Sequence, residues 1–157
     1  MELYIIPIVL FIVIFIIAEL LKKTPTSKYE KISFLLNHSE LTFYKFLKDK
    51  VPSNISIMCK VRLIDIVKPV SKGKAYLVDK NRIISKHIDF VLIDNNTSEI
   101  KALIELNGSS HERFNRKRRD TFINELTKNI NLNLFTIKVK SQYELNDIMK
   151  ILEFIKK

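Results

Sequence analysis

The 157-residue sequence contains one cysteine, two glycines and no tryptophan. The single thiol, Cys59, excludes a disulfide framework, a CxxC redox pair and a cysteine-rich zinc site. Two glycines are too few to build the glycine-rich phosphate loop of a P-loop or Rossmann protein. The common nucleotide-binding loops and thiol-based chemistries are therefore excluded.

Positive charge is in excess, with 27 Lys and Arg against 17 Asp and Glu and a formal net charge of +10. The acids and lysines of residues 1–23 cancel, so the whole excess lies on residues 24–157. A folded chain with this charge is expected to meet an anionic partner. The content of 46% hydrophobic and 28% charged residues is typical of a globular protein.

An uncharged apolar run begins at Leu3 and reaches Leu21 if Glu19 is tolerated near its end. As a helix, residues 3–21 would span roughly 28 Å, about one hydrocarbon core of a bilayer. No basic region precedes the run and no small-residue cleavage site follows it, which favours a transmembrane anchor over a cleaved signal peptide. The sequence therefore predicts one N-terminal transmembrane helix.

Lys22 and Lys23 follow the apolar run directly, whereas only Glu2 precedes it. Because positive residues stay on the cytoplasmic side, the remainder of the chain is expected to face the cytoplasm. The predicted organisation is an anchor at 1–23, a polar linker at 24–34 and a folded domain at 35–157.

The folded domain alternates helical and strand patterns. Residues 39–50 have helical spacing with Ser39 as the N-cap, and residues 55–63 alternate as a strand with one buried face. Residues 68–85 are predicted to be a loop with some extended pairing. The other predicted elements are strands at 87–93 and 100–107, a helix at 114–130, a strand at 132–139 and a helix at 142–156. This order predicts an α/β fold.

The two central strands, joined by the turn formers of residues 94–98, have faces of opposite character. Their even-numbered face is wholly apolar and must be core. Its members are Ile88, Phe90, Leu92, Ala102, Ile104 and Leu106. The opposite face carries His87 and Asp89 on one strand and Glu105 and Asn107 on the other. The polar residues of the hairpin are therefore expected together at one end of the sheet.

A turn centred near Thr97 sets Asp89 across from Glu105, with Cβ atoms roughly 5 Å apart. Two carboxylates at that separation repel unless a cation joins them. A neighbouring Arg or Lys could neutralise them, or the register could slip by two residues. The third interpretation is a divalent metal, most simply Mg²⁺, held by Asp89, Glu105 and the backbone carbonyl of Leu106 together with waters.

A basic segment follows the second of these strands, at the start of the predicted helix 114–130. Its members are Arg113, Arg116, Lys117, Arg118 and Arg119. Basic side chains at a helix start oppose the helix dipole, so phosphate binding explains their placement better than folding does. The alternative is a solvated charged face. His111, between the acids and this segment, is a candidate general base or water-positioning group.

Three motifs carry a family resemblance: Ser85-Lys86-His87-Ile88-Asp89-Phe90, then Ile104-Glu105-Leu106-Asn107-Gly108-Ser109-Ser110-His111, then Arg119-Asp120-Thr121-Phe122. They resemble a bacterial family known as domain of unknown function 2726. That family is similar to the restriction-endonuclease-like PD-(D/E)XK superfamily, and within it to very-short-patch-repair-like nucleases. The resemblance implies a restriction-endonuclease-like αβββαβ core, here preceded by the transmembrane helix.

Carried over by residue, the resemblance makes Asp89 and Glu105 metal-binding acids and adds Glu40 as a further metal-site carboxylate. His111 matches the histidine after the third strand, and His87 and Asp120 are supporting residues. Asn107 stands where the superfamily has a lysine. An asparagine can orient a water but carries no positive charge. Lys86, Arg116 and Arg119 are candidates to supply that charge.

The predicted function is Mg²⁺-dependent phosphodiester hydrolysis of nucleic acid, with DNA favoured over RNA, by a single-pass protein of the bacterial inner membrane. Asp89, Glu105, Asn107 and His111 form the predicted catalytic set, and Lys86 joins the basic segment in binding nucleic acid. Two alternatives stay open. One is an inactive nucleic-acid-binding module tethered to the membrane, and the other is a basic structural protein of the membrane surface.

Overall fold

The computed structural model describes residues 5–20, 27–108 and 113–156. The chain divides into two compact units, Met1–Leu35 and Leu36–Lys157. Within the described residues there are six helices and four strands. In chain order they are α1 (Ile5–Leu20), α2 (His38–Lys50), β1 (Ile55–Arg62), α3 (Leu63–Ile66), α4 (Lys74–Ile84), β2 (His87–Asp94), β3 (Ile100–Asn107), α5 (Arg113–Asn129), β4 (Leu134–Lys138) and α6 (Leu145–Ile155).

The first unit contains α1. This helix does not have the properties predicted for a membrane anchor. The helix has 16 residues, or about 24 Å at 1.5 Å per residue, which is shorter than the hydrocarbon core of a bilayer. In the described ranges, no helix combines the length and apolar character needed to cross a membrane. The predictions of a transmembrane helix over residues 3–21 and of a single-pass inner-membrane protein are therefore wrong. The apolar run did predict a helix in this part of the chain.

The second unit is built on one four-stranded sheet with the order β1-β2-β3-β4. Its first three strands are antiparallel neighbours, whereas β4 runs parallel to β3. A parallel neighbour requires a crossover, and α5 supplies it between β3 and β4. The protein is thus a mixed α/β fold.

Helices cover both faces of the sheet, so both faces are buried. On one face, Phe90 of β2 packs in a cluster with residues of α2 and α6, among them Phe43 and Ile148. On the other face, Val91 and Leu103 pack in a second cluster with residues of α3, α4 and α5. The prediction that the even-numbered residues of β2 and β3 form the apolar face needs two corrections. Ile88 is even-numbered but packs in the second cluster. The odd-numbered residues Val91 and Leu103 are also buried, so the odd-numbered face is apolar at these positions and polar at the end that carries His87, Asp89, Glu105 and Asn107.

The start of α2 differs from the prediction by two residues. Asn37, not Ser39, is the N-cap, and it forms a capping box with Glu40. The side chain of Asn37 accepts a hydrogen bond from the backbone N–H of Glu40 at 3.0 Å, and Glu40 accepts one from the backbone N–H of Asn37 at 2.9 Å. This reciprocal cap orients the Glu40 carboxylate at the end of the helix.

Between β1 and β2 the structure has helices α3 and α4, and α4 lies where a loop was predicted over residues 68–85. Gly73 precedes α4 with a φ of 60°, a left-handed conformation that glycine adopts at low cost. Ile83 is the buried residue of α4. A helix that buries so few apolar side chains has little helical periodicity in its sequence, which explains why the prediction missed it.

Phe43 is fully buried, with its ring centroid 5.4 Å from that of Phe90 and 5.0 Å from that of Tyr143. We expect Phe43→Ala to lower the free energy of unfolding by about 3–5 kcal/mol, because it leaves a cavity between α2 and the sheet. Urea denaturation followed by circular dichroism measures this loss. Leu41→Ala on the same helix, at a side chain that is 39% exposed, should cost less than about 1 kcal/mol. Equal losses in the two variants would contradict this description of the core.

Candidate active site

A cleft of about 680 Å³ opens where β2 begins and β3 ends. Acidic, basic and amide side chains line it beside a few apolar ones. The polar and charged residues of the lining are Asn37, Ser39, Glu40, Lys60, His87, Asp89, Glu105, Asn107, Arg119, Asn124 and Thr136. The polar ends of β2 and β3 therefore form a concave surface.

Asp89 lies at the centre of this cleft and is only 7% exposed. Its Oδ2 accepts a hydrogen bond from the backbone N–H of Leu106 at 2.9 Å. Phe90 pairs with Ile104, which is the register that the sequence predicts, and the next residues along the two strands are Asp89 and Glu105. The two acids are thus on neighbouring strands and line the same cleft.

Lys60 on β1 is the site residue that the sequence analysis missed. Cys59 pairs with Phe90 and Val61 pairs with Ile88. Lys60 of β1 therefore lies beside Asp89 of β2. Its backbone has a φ of 56°, a left-handed conformation that costs a non-glycine residue of order 1–3 kcal/mol and is typical of functional sites. Nothing in the local alternation of residues 55–63 indicates this conformation.

The ammonium group of Lys60 contacts two carboxylates. Its Nζ forms an ion pair with Oε1 of Glu40 and lies 3.4 Å from Oδ1 of Asp89. Burial by itself lowers the pKa of Lys60, but the hydrogen bond to Glu40 and the negative charge of Asp89 outweigh it. The pKa of Lys60 is therefore raised above its ordinary value, and the side chain is positively charged at neutral pH.

Glu40 reaches the cleft from α2 and is 8% exposed. One oxygen of its carboxylate completes the capping box and the other binds Lys60. The structure thus brings Glu40, Asp89 and Glu105 to one cleft from three different elements.

Glu105 has a basic partner of its own, because Nη2 of Arg119 lies 2.9 Å from its Oε2. Arg119 belongs to α5, the crossover helix, so the chain topology brings this guanidinium back to the end of β3. Lys60 and Arg119 thus place positive charge beside Asp89 and Glu105. This is the arrangement expected if neighbouring basic side chains neutralise the acids.

In the part of the chain that the structure describes, no three or more His, Cys, Asp or Glu side chains are arranged to hold a metal ion. Mg²⁺ does not require such a group, since it is usually bound by one or two carboxylates and keeps several waters. Asp89 and Glu105 place two carboxylates, which are hard oxygen donors, in the cleft. The donor set therefore suits Mg²⁺ in chemical type and does not suit zinc.

His87, at the start of β2, is half-buried at the wall of the cleft. Burial lowers its pKa, and the positive charges of Lys60 and Arg119 lower it further. The imidazole is therefore neutral at physiological pH, and one of its ring nitrogens can accept a hydrogen bond.

The other predicted site residues divide into two groups. Asn107 lines the cleft at the end of β3, and Lys86 does not line it but lies over the ring of Phe122. His111 and the side chains of Arg113, Arg116, Lys117, Arg118 and Asp120 lie outside the described residues. Of the predicted basic segment, only the side chain of Arg119 has a described position.

The four-stranded mixed sheet with its polar cleft defines an α/β domain. Comparison with known protein families identifies the family to which this domain belongs. Residues 32–155 match the model of the family described as "Protein of unknown function (DUF2726)". The chain belongs to this family, which confirms the resemblance at the family level. All residues that line the cleft lie within the matched range. No curated protein and no solved structure matches the chain.

The lowered pKa of His87 makes the stability of the fold depend on pH. The unfolded chain binds a proton at this histidine near its ordinary pKa, whereas the folded chain binds it only at lower pH. The contribution of His87 to the free energy of unfolding is therefore fully present above its ordinary pKa. It is lost as the pH falls from that value toward the lower pKa of the folded state. We expect His87→Gln to lose less stability than the wild type between about pH 7.5 and about pH 5.

Urea denaturation at the two pH values measures this difference. His38→Gln, which removes an exposed histidine from the first turn of α2, is the matched control and should behave as the wild type does. An equal loss of stability in His87→Gln and the wild type would contradict the assignment.

Proposed function

We propose that this chain is a metal-dependent nuclease of the PD-(D/E)XK type, which hydrolyses phosphodiester bonds of DNA in preference to RNA. One observation carries the proposal. Three carboxylates, from Glu40, Asp89 and Glu105, converge in one cleft with the cationic groups of Lys60 and Arg119. Carboxylates that bind a hard metal ion, beside cations that bind a phosphate, are what this reaction requires.

Asp89, Glu105 and the backbone carbonyl of Leu106 are the groups that would hold Mg²⁺. Glu40 lies in the same cleft and contacts Lys60. When bound, such an ion polarises a phosphate oxygen and lowers the pKa of a coordinated water. The hydrogen bond from the Leu106 N–H fixes the orientation of the Asp89 carboxylate before any ligand enters.

Lys60 and Arg119 have two roles in this proposal. In the absence of a ligand they offset the charge of the buried acids. With a phosphodiester in the cleft, their positive groups stabilise the negative charge that develops on the phosphate. Lys60 thereby supplies the charge that Asn107 lacks, and it does so from β1 rather than from β3.

In this proposal, the neutral polar groups of the cleft position the water that attacks the phosphodiester. His87 accepts a hydrogen bond because its imidazole is neutral, and the Asn107 amide lies at the same rim. His111 is proposed for the same task from its place in the sequence, and its side chain lies outside the described residues.

The order of elements in the second unit supports the nuclease resemblance. An antiparallel run of β1, β2 and β3 is followed by a crossover helix and a parallel β4. The site lies at the ends of the two central strands, where a cleft between covering helices admits a ligand. The insertion of α3 and α4 between β1 and β2 leaves this arrangement intact.

Replacing the metal-binding acids tests the proposal directly. Asp89→Asn and Glu105→Gln should each lower the rate of Mg²⁺-dependent cleavage by at least about 100-fold, because each removes an ionised oxygen ligand. The assay incubates the full chain with plasmid DNA, single-stranded DNA and RNA, with Mg²⁺ or Mn²⁺. Glu99→Gln is the matched control, since Glu99 is an exposed acid at the hairpin that pairs with Lys101. No cleavage of any substrate by the wild type with either metal would refute the enzymatic function.

Lys60→Met separates the structural role of this lysine from its proposed role in the reaction. Its removal leaves Glu40 and Asp89 buried beside each other, so the free energy of unfolding should fall by about 2 kcal/mol at neutral pH. This is less than for a fully buried pair, because the Lys60 side chain is 23% exposed. Binding of Mn²⁺ measured by calorimetry should become tighter, because the competing ammonium is gone, while cleavage is lost. Lys45→Met, at an exposed lysine of α2, is the control. Unchanged metal affinity together with unchanged cleavage would refute both roles.

A second candidate function is a nucleic-acid-binding module without catalysis. The observation in its favour is that Asp89 and Glu105 each have a basic partner within the protein. This function predicts binding that weakens steeply with salt, that persists in the Asp89→Asn/Glu105→Gln double variant, and that is accompanied by no cleavage.

A further inference from the structure

Outside the cleft, two basic side chains lie over one aromatic ring. The guanidinium carbon of Arg82 is 4.7 Å from the ring centroid of Phe122, and Nζ of Lys86 is 5.3 Å from the same centroid. The Lys86 ammonium also donates a hydrogen bond to the backbone carbonyl of Arg82. We refer to Arg82, Lys86 and Phe122 as the cation–ring patch.

The cation–ring patch differs from the ion pairs elsewhere on the surface. Arg62, Lys101 and Lys140 each contact a carboxylate, from Asp65, Glu99 and Asp147 respectively. Over the described ranges of the chain, Arg82 and Lys86 have no acidic partner. The ring and the C-terminal end of α4 attract each cation, but the two like charges still repel each other. A bound anion would remove that repulsion.

The patch is held in place by the backbone. The N–H of Lys86 donates to the carbonyl of Ile83 at 3.1 Å, and the carbonyl of Lys86 accepts from the N–H of Leu63 at 2.8 Å. Phe122 packs against the second core cluster. An anion would therefore meet two cations whose side chains are already oriented, at a lower entropic cost than on free surface lysines.

The position of the patch relates it to the cleft. Lys86 immediately precedes His87 on the chain, and Phe122 immediately precedes Ile123, and both of these following residues line the cleft. Arg119 of the cleft and Phe122 of the patch are three residues apart on α5, which places them on neighbouring positions of one helix face. Phe122 of the patch is thus about one helical turn from Arg119 of the cleft.

We propose that the cation–ring patch is a second phosphate-binding site, which holds the nucleic-acid backbone next to the phosphodiester in the cleft. This inference rests on the proposed function and specifies the substrate further. The ligand has to be a polynucleotide whose chain continues past the cleaved bond, rather than a mononucleotide or an isolated phosphoester. The contact is to phosphate, so it adds affinity without adding base specificity.

The test compares binding of a labelled oligonucleotide by the full chain in the presence of a chelator, which prevents cleavage. Fluorescence anisotropy is measured over a series of salt concentrations for the wild type and for Arg82→Gln/Lys86→Gln. The double variant should bind about tenfold more weakly at low salt, and the slope of log affinity against log salt should fall by about 2, one for each lost contact. Arg82→Lys, which keeps the charge, should retain most of the affinity.

Lys74→Gln is the matched control, because Lys74 is an exposed lysine at the other end of α4. It should leave the salt slope as in the wild type. Thermal unfolding of every variant checks that the loss of the Lys86 hydrogen bond has not unfolded α4. A mononucleotide competitor should bind the wild type and the double variant equally.

Each outcome has one interpretation. If the wild type binds the oligonucleotide and the double variant loses no more than Lys74→Gln does, the second site is refuted while the proposed function stands. If the wild type binds no oligonucleotide in the chelator, the second site is refuted, and the cleavage assay with Mg²⁺ or Mn²⁺ decides the proposed function separately. If the double variant keeps its oligonucleotide binding but loses binding to phosphatidylserine vesicles, the patch is a lipid site and the proposal is wrong.

Discussion

The site depends on the register of three neighbouring strands. The pairing of β1 with β2 brings Lys60 to Asp89, and the pairing of Phe90 with Ile104 brings Asp89 to the end of β3, where it accepts a hydrogen bond from the N–H of Leu106. A slip of one residue in either pairing would move a side chain to the other face of the sheet. The buried residues that prevent such a slip lie beside the site, with Phe90 on one face and Val91 on the other. The packing that stabilises the fold therefore also assembles the cleft.

Charge balance links this geometry to the proposed chemistry. Buried carboxylates are costly unless a cation or hydrogen-bond donors accompany them. Lys60 accompanies Glu40 and Asp89, Arg119 accompanies Glu105, and the Leu106 N–H binds Asp89. The same ammonium and guanidinium groups are what a phosphate would contact on entering. One set of residues thus stabilises the free protein and, in the proposed function, would also bind the anionic ligand.

The second core cluster connects the cleft to the cation–ring patch. Ile83 and Ile123 are buried in it, with Phe122 packed against it. Ile83 precedes the end of α4, where Arg82 and Lys86 converge, and Ile123 lines the cleft. Helices α4 and α5 thereby pack the residues next to both groups of basic side chains into one core cluster.

The sequence by itself determined the strands and the β2–β3 register, because alternation of apolar residues and the turn formers at residues 94–98 are local signals. It also predicted that Asp89 and Glu105 would lie at the same end of the sheet, and both line the cleft. Only the tertiary structure decided that Lys60 joins them, because its left-handed backbone and its contact with α2 depend on residues far away in the chain. Helix α4 was likewise not predictable, because it buries too few apolar residues to show a period.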